Sequence, residues 1–224
     1  MRTGYNRASY AYRPTESAAD VFGHSFSDHA EWLRPFLRAV PRGAEVLDLG
    51  CGCGVPDSRI LAEQFRVTGV DISDVQVERA RRLIPTARFV RADMTEVRFR
   101  PAAFGGVVCL YALIHVPLDE QRPLLDRIWR WLAPDGLLLL TTGESAYTGT
   151  EENWLGSNAK MYWSHTDAAT YEGWLGQAGF EVVRRTRVAE PGAEHALFLA
   201  RKPASGGAPP PADGPFRDPT ATAQ

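Results

Sequence analysis

The chain has 224 residues, of which 44% are hydrophobic and 23% charged, as is typical of one globular domain with a substantial core. Its net charge of −2 and isoelectric point near 6.2 lack the basic excess of nucleic-acid-binding domains, so we expect no nucleic-acid partner. It has no apolar leader and no run of about 18 apolar residues, so we expect a cytoplasmic protein with no membrane association. The three cysteines lack zinc-site spacing, so we expect no metal site.

The most informative stretch follows a predicted helix over residues 27–40. An apolar run from residue 45 to 49 predicts a buried strand, which ends at three alternating glycines, Gly50, Gly52 and Gly54. Glycine tolerates positive φ and lets a ligand touch the main chain. This loop, at the carboxyl end of a strand, is therefore a predicted binding site.

The spacing of these glycines separates two ligand classes. Dinucleotide-binding loops have G-x-G-x-x-G, and here the third glycine of that pattern would fall on Val55. Asp48 would place a negative charge at the mouth of the site, where it repels a pyrophosphate and attracts an ammonium group. The sequence thus favours a ligand with an ammonium group, and an NAD-binding oxidoreductase is the alternative.

Strands and helices alternate up to residue 142. The predicted strands after the first are 66–72, 87–93, 105–111 and 137–142, and the predicted helices are 56–65, 73–84 and 119–132. This alternation indicates a parallel sheet with helices on both faces.

The last third of the chain breaks this alternation. An aromatic stretch, 144–165, precedes a helix that ends at Gly179, and two strand-like runs then predict an antiparallel hairpin. Residues 203–224 are rich in Pro, Gly and Ala, so we expect a disordered tail after a domain of residues 1–202.

The run D-x-G-x-G-x-G from Asp48 to Gly54 resembles motif I of the class I S-adenosylmethionine-dependent methyltransferases, and the resemblance covers about residues 5–202. It implies a Rossmann-like, doubly wound α/β fold. The seven-stranded sheet would be mostly parallel with an antiparallel last strand and helices on both faces. It also implies S-adenosyl-L-methionine as cofactor.

The resemblance assigns cofactor contacts. Asp71 would bind the ribose hydroxyls, Asp93 and Met94 the adenine, and Leu110 would lie beside the methionine part. The alternatives are a turn aspartate at 71, and a solvated Asp93 with a core Met94. Residues 1–43 would form a lid and a helix, although Asn6 replaces the usual lid aspartate. The implied cofactor-binding residues are Tyr5, Tyr12, Asp48, Gly50, Cys51, Gly52, Gly54, Asp71, Ile72, Asp93, Met94 and Leu110.

Methyl transfer from a sulfonium needs alignment in a dry pocket, and it needs a general base only where the acceptor holds its proton. The predicted catalytic residues are His115, His165 and Tyr111. His115 follows the fourth strand and could instead be a structural histidine; His165 could instead cap the next helix.

The aromatic insertion 144–165 is where the family places acceptor recognition. The predicted acceptor-binding residues are Tyr147, Trp154, Tyr162 and, from the N-terminal segment, His24. These aromatic side chains suit a small hydrophobic acceptor, and the alternative is that they fill the core beneath a long loop.

The sequence therefore predicts a monomeric or homodimeric enzyme that methylates a small molecule at O or N, in specialised metabolism. Three alternatives remain open: an RNA-modifying methyltransferase, a protein of the same fold that binds the cofactor without transferring methyl groups, and the oxidoreductase above.

Overall fold

The computed structural model describes residues 26–154, 156, 158–190 and 193–204. Tyr5, Tyr12 and His24 lie outside the described residues, as does all but the start of the predicted tail. The roles of these residues and the division into domain and tail stay predictions.

A seven-stranded sheet forms the centre of the molecule, in the order β3-β2-β1-β4-β5-β9-β8. All neighbours pair in parallel except β9, which is antiparallel to both β5 and β8. This confirms the predicted fold. The strands are β1 (Glu45–Leu49), β2 (Arg66–Asp71), β3 (Arg88–Arg91), β4 (Phe104–Cys109), β5 (Leu132–Gly143), β8 (Glu181–Glu190) and β9 (Ala193–Arg201).

The described helices begin and end at local signals in the sequence. Ser73 accepts a hydrogen bond from the amide of Gln76 and starts α3, Asp167 accepts from the amide of Thr170 and starts α5, and Gly179, at φ +98°, ends α5. The described helices are α1 (Phe26–Ala39), α2 (Asp57–Ala62), α3 (Asp74–Leu83), α4 (Leu118–Trp131) and α5 (Ala168–Ala178).

Both faces of the sheet are covered. In β5, Leu138 and Leu140 belong to the cluster under α4 and α5, whereas Leu137 and Leu139 belong to the cluster with α1 and α2. Because successive side chains of a strand alternate between faces, the run from Leu137 to Leu140 is apolar on both faces of the sheet.

The aromatic insertion forms a separate two-stranded antiparallel sheet that the sequence analysis did not assign. Its strands are β6 (Tyr147–Trp154) and β7 (Ala159–His165). β5 is also longer than the predicted strand over residues 137–142, since it begins at Leu132 and ends at Gly143. None of the described helices has the length and hydropathy needed to cross a bilayer.

Candidate cofactor and acceptor site

A cavity of about 290 Å³ opens at the carboxyl ends of β1, β2 and β4. The sheet order reverses between β1 and β4, and ligands of open α/β sheets bind at such a switch point. Seven of the residues predicted from sequence line the cavity: Gly50, Asp71, Ile72, Asp93, Met94, Tyr111 and His115.

The glycine loop closes one side of this cavity. Gly50 and Gly52 have φ values of +75° and +55°. A Cβ on Gly50 would lie 2.1 Å from the Cβ of Ala112, so the loop packs there against the segment after β4. A Cβ on Gly52 would meet no described atom within 4 Å. The main chain at Gly52 is therefore open to a ligand, which is the space a close-approach glycine provides.

Asp71 connects this loop to the end of β2. Its Oδ2 accepts from the amide of Gly52 at 2.9 Å, and its Oδ1 accepts from the amide of Ser73 at 2.8 Å. Burial raises the pKa of Asp71 to about 6, and the two amide hydrogen bonds oppose that rise. Each oxygen keeps a second lone pair, so the carboxylate can still accept from a vicinal diol.

Asp93 and Met94 line the cavity on the β3 side. Asp93 Oδ1 accepts from both the amide and the hydroxyl of Thr95, each at 2.8 Å, so the carboxylate is fixed rather than freely solvated. The Met94 methyl carbon would lie 3.3 Å from a Cβ on Gly50. Met94 thus packs across the cavity toward the glycine loop.

The side chain of Asp48 does not lie where the sequence predicted. The sequence predicted a charge at the mouth of the site, but Asp48 is buried and does not line the cavity. Its Oδ2 accepts from Ser58 Oγ at 2.5 Å. Burial, and then the charge of Asp57, raise its pKa to about 7. Leu47 and Leu49 face the α4 side of the sheet, so strand alternation turns Asp48 toward α2.

The other predicted cofactor contacts also lie off the cavity lining. Cys51 packs against β2, since its Sγ lies 2.8 Å from the position that a Cβ on Gly69 would take. Gly54 packs against Ile84, which a Cβ at this glycine would approach to 2.7 Å. Leu110 is buried in the core. The roles of these residues, of Gly52 and of Asp48 in cofactor binding stay predictions.

His115 lies on a short 3₁₀ turn after β4. Its Nδ1 is 2.9 Å from the carbonyl oxygen of Tyr162. Because a carbonyl only accepts, Nδ1 carries the proton and Nε2 is unprotonated. Burial lowers the pKa of His115 to about 4, so the ring is neutral at pH 7.

Comparisons with known proteins agree with this geometry. A family model described as a methyltransferase domain matches residues 46–136. Carboxy-S-adenosyl-L-methionine synthase of Chromohalobacter salexigens is 33% identical over 50% of this chain and 45% of that protein. 2-Methyl-6-phytyl-1,4-hydroquinone methyltransferase of Synechocystis sp. is 38% identical over 46% of this chain and 33% of that protein. The chain thus spans less than half the length of either curated relative.

A solved structure matches over more of the chain. It is 1,6-didemethyltoxoflavin-N1-methyltransferase of Burkholderia thailandensis with bound 1,6-didemethyltoxoflavin and S-adenosylhomocysteine. The two chains are 27% identical, the TM-score is 0.59, and the match covers 80% of each chain. These matches support a class I S-adenosylmethionine-dependent methyltransferase.

The donor set of the cavity fits S-adenosylmethionine. The open main chain at Gly52 and the buried Asp71 carboxylate are joined by a hydrogen bond, and together they can accommodate a ribose. Asp93 and Met94 flank a position where a purine can lie.

The β6–β7 sheet bounds one side of the cavity. Met161 of β7 lines the cavity, and Trp163 packs on the His115 ring with centroids 4.4 Å apart. Trp154 lies 6.5 Å from the same ring. The Tyr162 side chain is half-buried, and its backbone carbonyl, rather than its ring, orients His115. The aromatic insertion therefore packs around a predicted catalytic residue, and its role in acceptor binding stays a prediction.

Tyr111 lies two residues after β4 and has an unusual backbone conformation. Its φ is +52°, rare for a bulky residue, and its amide donates to Thr141 Oγ1 at 2.5 Å. Its ring packs between Trp32, at 6.1 Å, and His195, at 5.2 Å. Strained backbone of this kind is concentrated at functional sites.

His165 lies outside the cavity lining, at the end of β7. Its Nδ1 is 2.8 Å from the Ser145 carbonyl oxygen, and its ring is 5.9 Å from that of Tyr147, which is 52% exposed. The side chain of Asp167, not His165, accepts from the amide of Thr170 at the start of α5.

Sequence reasoning missed three residues of this region: Trp32, Gln121 and His195. Trp32 lies on α1, Gln121 on α4 and His195 on β9, and each reaches the site through contacts between distant parts of the chain. An amphipathic pattern predicts that a residue is buried but not which partner it meets, so no local signal marked them.

Proposed function

We propose that this protein transfers a methyl group from S-adenosylmethionine to a small-molecule acceptor, at oxygen or nitrogen. The observation that carries the proposal is the connection of Gly52 and Asp71. One carboxylate fixes the glycine loop and remains able to accept from a ribose, within a cavity that Asp93 and Met94 also line.

When bound, the cofactor supplies an electrophilic methyl group. This chain's residues would hold and orient it: Asp71 would accept from the ribose hydroxyls, and Asp93 would accept from the exocyclic amine of the base. The aromatic β6–β7 sheet packs over the 3₁₀ turn and reduces the access of water. Positioning in such a pocket supplies most of the catalysis that this reaction requires.

The names of two relatives support a small cyclic acceptor. The Synechocystis relative is named for a hydroquinone, and the Burkholderia structure for transfer to N1 of a ring compound. The aromatic side chains around His115 suit an acceptor of this kind.

A second candidate is cofactor binding without methyl transfer. It is favoured by the Chromohalobacter relative, whose name describes a synthase that makes a modified S-adenosylmethionine. An aromatic pocket beside the neutral His115 can hold such a modified cofactor as readily as an acceptor.

One experiment separates the candidates. The protein is incubated with methyl-labelled S-adenosylmethionine and 2-naphthol, tryptamine, benzoate or total RNA, and products are identified by mass spectrometry. Label on a small molecule supports the proposal, and label on RNA alone contradicts its acceptor class. Calorimetric binding of S-adenosylhomocysteine without any label transfer supports the second candidate. A thermal shift with NAD and none with S-adenosylhomocysteine would contradict both.

A further inference from the structure

Positive charge is concentrated at one edge of the central sheet. Residues 79–100 contain seven arginines and two carboxylates, whereas acidic side chains outnumber basic ones by seven in the rest of the chain. This stretch includes the C-terminal half of α3, all of β3 and the segment that follows β3, and β3 is a terminal strand of the sheet. A protein with a net charge of −2 therefore carries one strongly basic region.

The helix and the strand of this region form one continuous surface. Phe89 of β3 is buried in a cluster with three side chains from α3 and its end, Val77, Ala80 and Ile84. Arg81 of α3 donates from Nε and Nη2 to the carbonyl oxygen of Phe89, at 3.2 and 2.9 Å. A helix arginine thus lies directly on the strand that carries Arg88 and Arg91.

The protein does not neutralise these charges. Arg88 and Arg91 are exposed at the two ends of β3, and neither has a hydrogen bond or an ion pair with another of the described residues. Arg82 lies 3.8 Å from Glu78, and both side chains are mostly exposed, so this pair contributes little. The Asp93 carboxylate accepts hydrogen bonds within its own turn and lines the cofactor cavity.

An exposed leucine lies among the arginines. Leu83 is the last residue of α3, directly after Arg82, and it is 46% exposed. A phosphate backbone offers such a side chain no apolar partner, and a membrane-binding surface has a row of apolar side chains rather than one. Protein interfaces, by contrast, combine arginines with a few apolar anchors. The exposed leucine therefore favours a protein as the partner.

Two local effects explain part of the pattern. Basic side chains stabilise the C-terminal end of a helix, which suits Arg81 and Arg82. Charged side chains on a terminal strand prevent pairing with another chain, which suits Arg88 and Arg91. Neither effect accounts for an exposed leucine at the same place, nor for one sign of charge on a helix, a strand and the segment after it.

We propose that this edge of the sheet is a docking site for an acidic protein. The site, named here the basic edge, consists of Arg81, Arg82, Leu83, Arg88 and Arg91. Carboxylates of the partner pair with the arginines, and an apolar side chain of the partner covers the leucine. Charge complementarity of this kind makes association fast and dependent on salt. Ala92 and Asp93 follow the basic edge and line the cavity, so the bound partner lies at the β3 side of the cavity.

The first test locates the binding of an acidic polypeptide and requires no methyl transfer. The probe is a fluorescent glutamate–tyrosine copolymer, and fluorescence anisotropy at low ionic strength measures its affinity for the intact chain. The double variant Arg88→Glu, Arg91→Glu should bind it at least about tenfold more weakly than wild type. The control Arg38→Glu, Arg184→Glu makes the same change of charge in a groove beside β8, the other terminal strand, and should cost less than about twofold. An equal loss in both double variants, or no binding by wild type, would overturn the proposal.

Both substituted arginines of the basic edge are exposed, so the double variant should fold. Its thermal midpoint by circular dichroism should stay within about 3 °C of the wild-type value. The milder Arg88→Gln, Arg91→Gln should weaken binding in the same direction, by at least about threefold. Unchanged affinity in this milder variant would also overturn the proposal.

The second test distinguishes a protein partner from any polyanion. Leu83→Ser should weaken binding of the glutamate–tyrosine copolymer at least about threefold and leave the affinity for polyglutamate unchanged, because only the copolymer offers an apolar side chain. Polyuridylate of equal charge should bind more weakly than the copolymer. Tighter binding of polyuridylate, or unchanged affinity of Leu83→Ser for the copolymer, would overturn the assignment to a protein.

Discussion

The side-chain amide of Gln121 donates to the carbonyl oxygen of Ser164 at 2.6 Å, and this contact joins α4 to the strand that carries the acceptor-side residues. The same nitrogen donates to Val116 at 2.7 Å, and the amide oxygen accepts from the Tyr171 hydroxyl. Gln121 is fully buried. One carboxamide thus holds the 3₁₀ turn of His115, β7 and α5 in a fixed arrangement.

Removing this network should destabilise the protein. Gln121→Leu leaves two carbonyls and one hydroxyl buried without their partner, so we expect it to lower the free energy of unfolding by at least about 2 kcal/mol. Tyr171→Phe leaves only the amide oxygen unpaired and should cost about 1–2 kcal/mol. Urea denaturation measures both. Tyr147→Phe, at an exposed ring, is the control and should stay within about 0.5 kcal/mol of wild type. A Gln121→Leu protein as stable as wild type would contradict the structural role.

Two glycines of the same loop should respond differently to alanine. Gly50→Ala puts a Cβ 2.1 Å from Ala112 at positive φ, so we expect a loss of at least about 2 kcal/mol of stability. Gly52→Ala adds a Cβ to open space, so the protein should fold at a cost of about 1–2 kcal/mol for its positive φ. Because that Cβ would occupy the ligand's space, S-adenosylhomocysteine should bind at least about tenfold more weakly in calorimetry. Unchanged affinity in Gly52→Ala would show that the cofactor does not approach this glycine.

A substitution at Asp93 tests whether this residue recognises the adenine of the cofactor. Thr95 uses only Oδ1, so Asp93→Asn can keep both hydrogen bonds to Thr95 and replace Oδ2 with an NH₂ group. We expect affinity for S-adenosylhomocysteine to fall about tenfold, since the adenine amine loses its acceptor. Affinity for S-inosylhomocysteine should rise, since its carbonyl gains a donor. Calorimetry with both ligands measures the two changes in affinity. An equal loss of affinity for both ligands would show that Asp93 does not contact the base. Asp71→Asn is less informative, because both Asp71 oxygens accept from backbone amides.

The parts of the fold that the sequence predicted depend on short-range chemistry. The cap at Ser73, the end of α5 at Gly179 and the glycine loop each follow from residues within four positions of one another. Alternating strands and helices then allow few topologies other than the one observed.

The parts that the sequence did not predict depend on contacts between distant segments. The carbonyl that orients His115 belongs to Tyr162, 47 residues along the chain, and Tyr111 and His195 meet only because β9 inserts antiparallel beside β5. The orientation of Asp48 could have been predicted, because the apolar pattern of Leu47 and Leu49 already places it on the opposite face of the sheet.

The buried Asp48 should make the protein less stable as pH rises. Burial and Asp57 raise its folded-state pKa from 3.8 to about 7, so the folded state holds this proton more tightly than the unfolded state. The resulting stabilisation is full below about pH 4 and is lost as pH rises through 7. Asp71, whose pKa is raised to about 6, contributes in the same direction.

Asp48→Asn keeps an acceptor for Ser58 and cannot ionise. We therefore expect it to resemble wild type near pH 4 and to exceed it by about 4 kcal/mol at pH 8, as measured by urea denaturation across that range without cofactor. The exposed Glu63→Gln at the end of α2 is the control, and it should show the wild-type slope. If Asp48→Asn shows the wild-type slope too, the carboxyl group is ionised in the folded protein throughout this range, and burial does not control its charge.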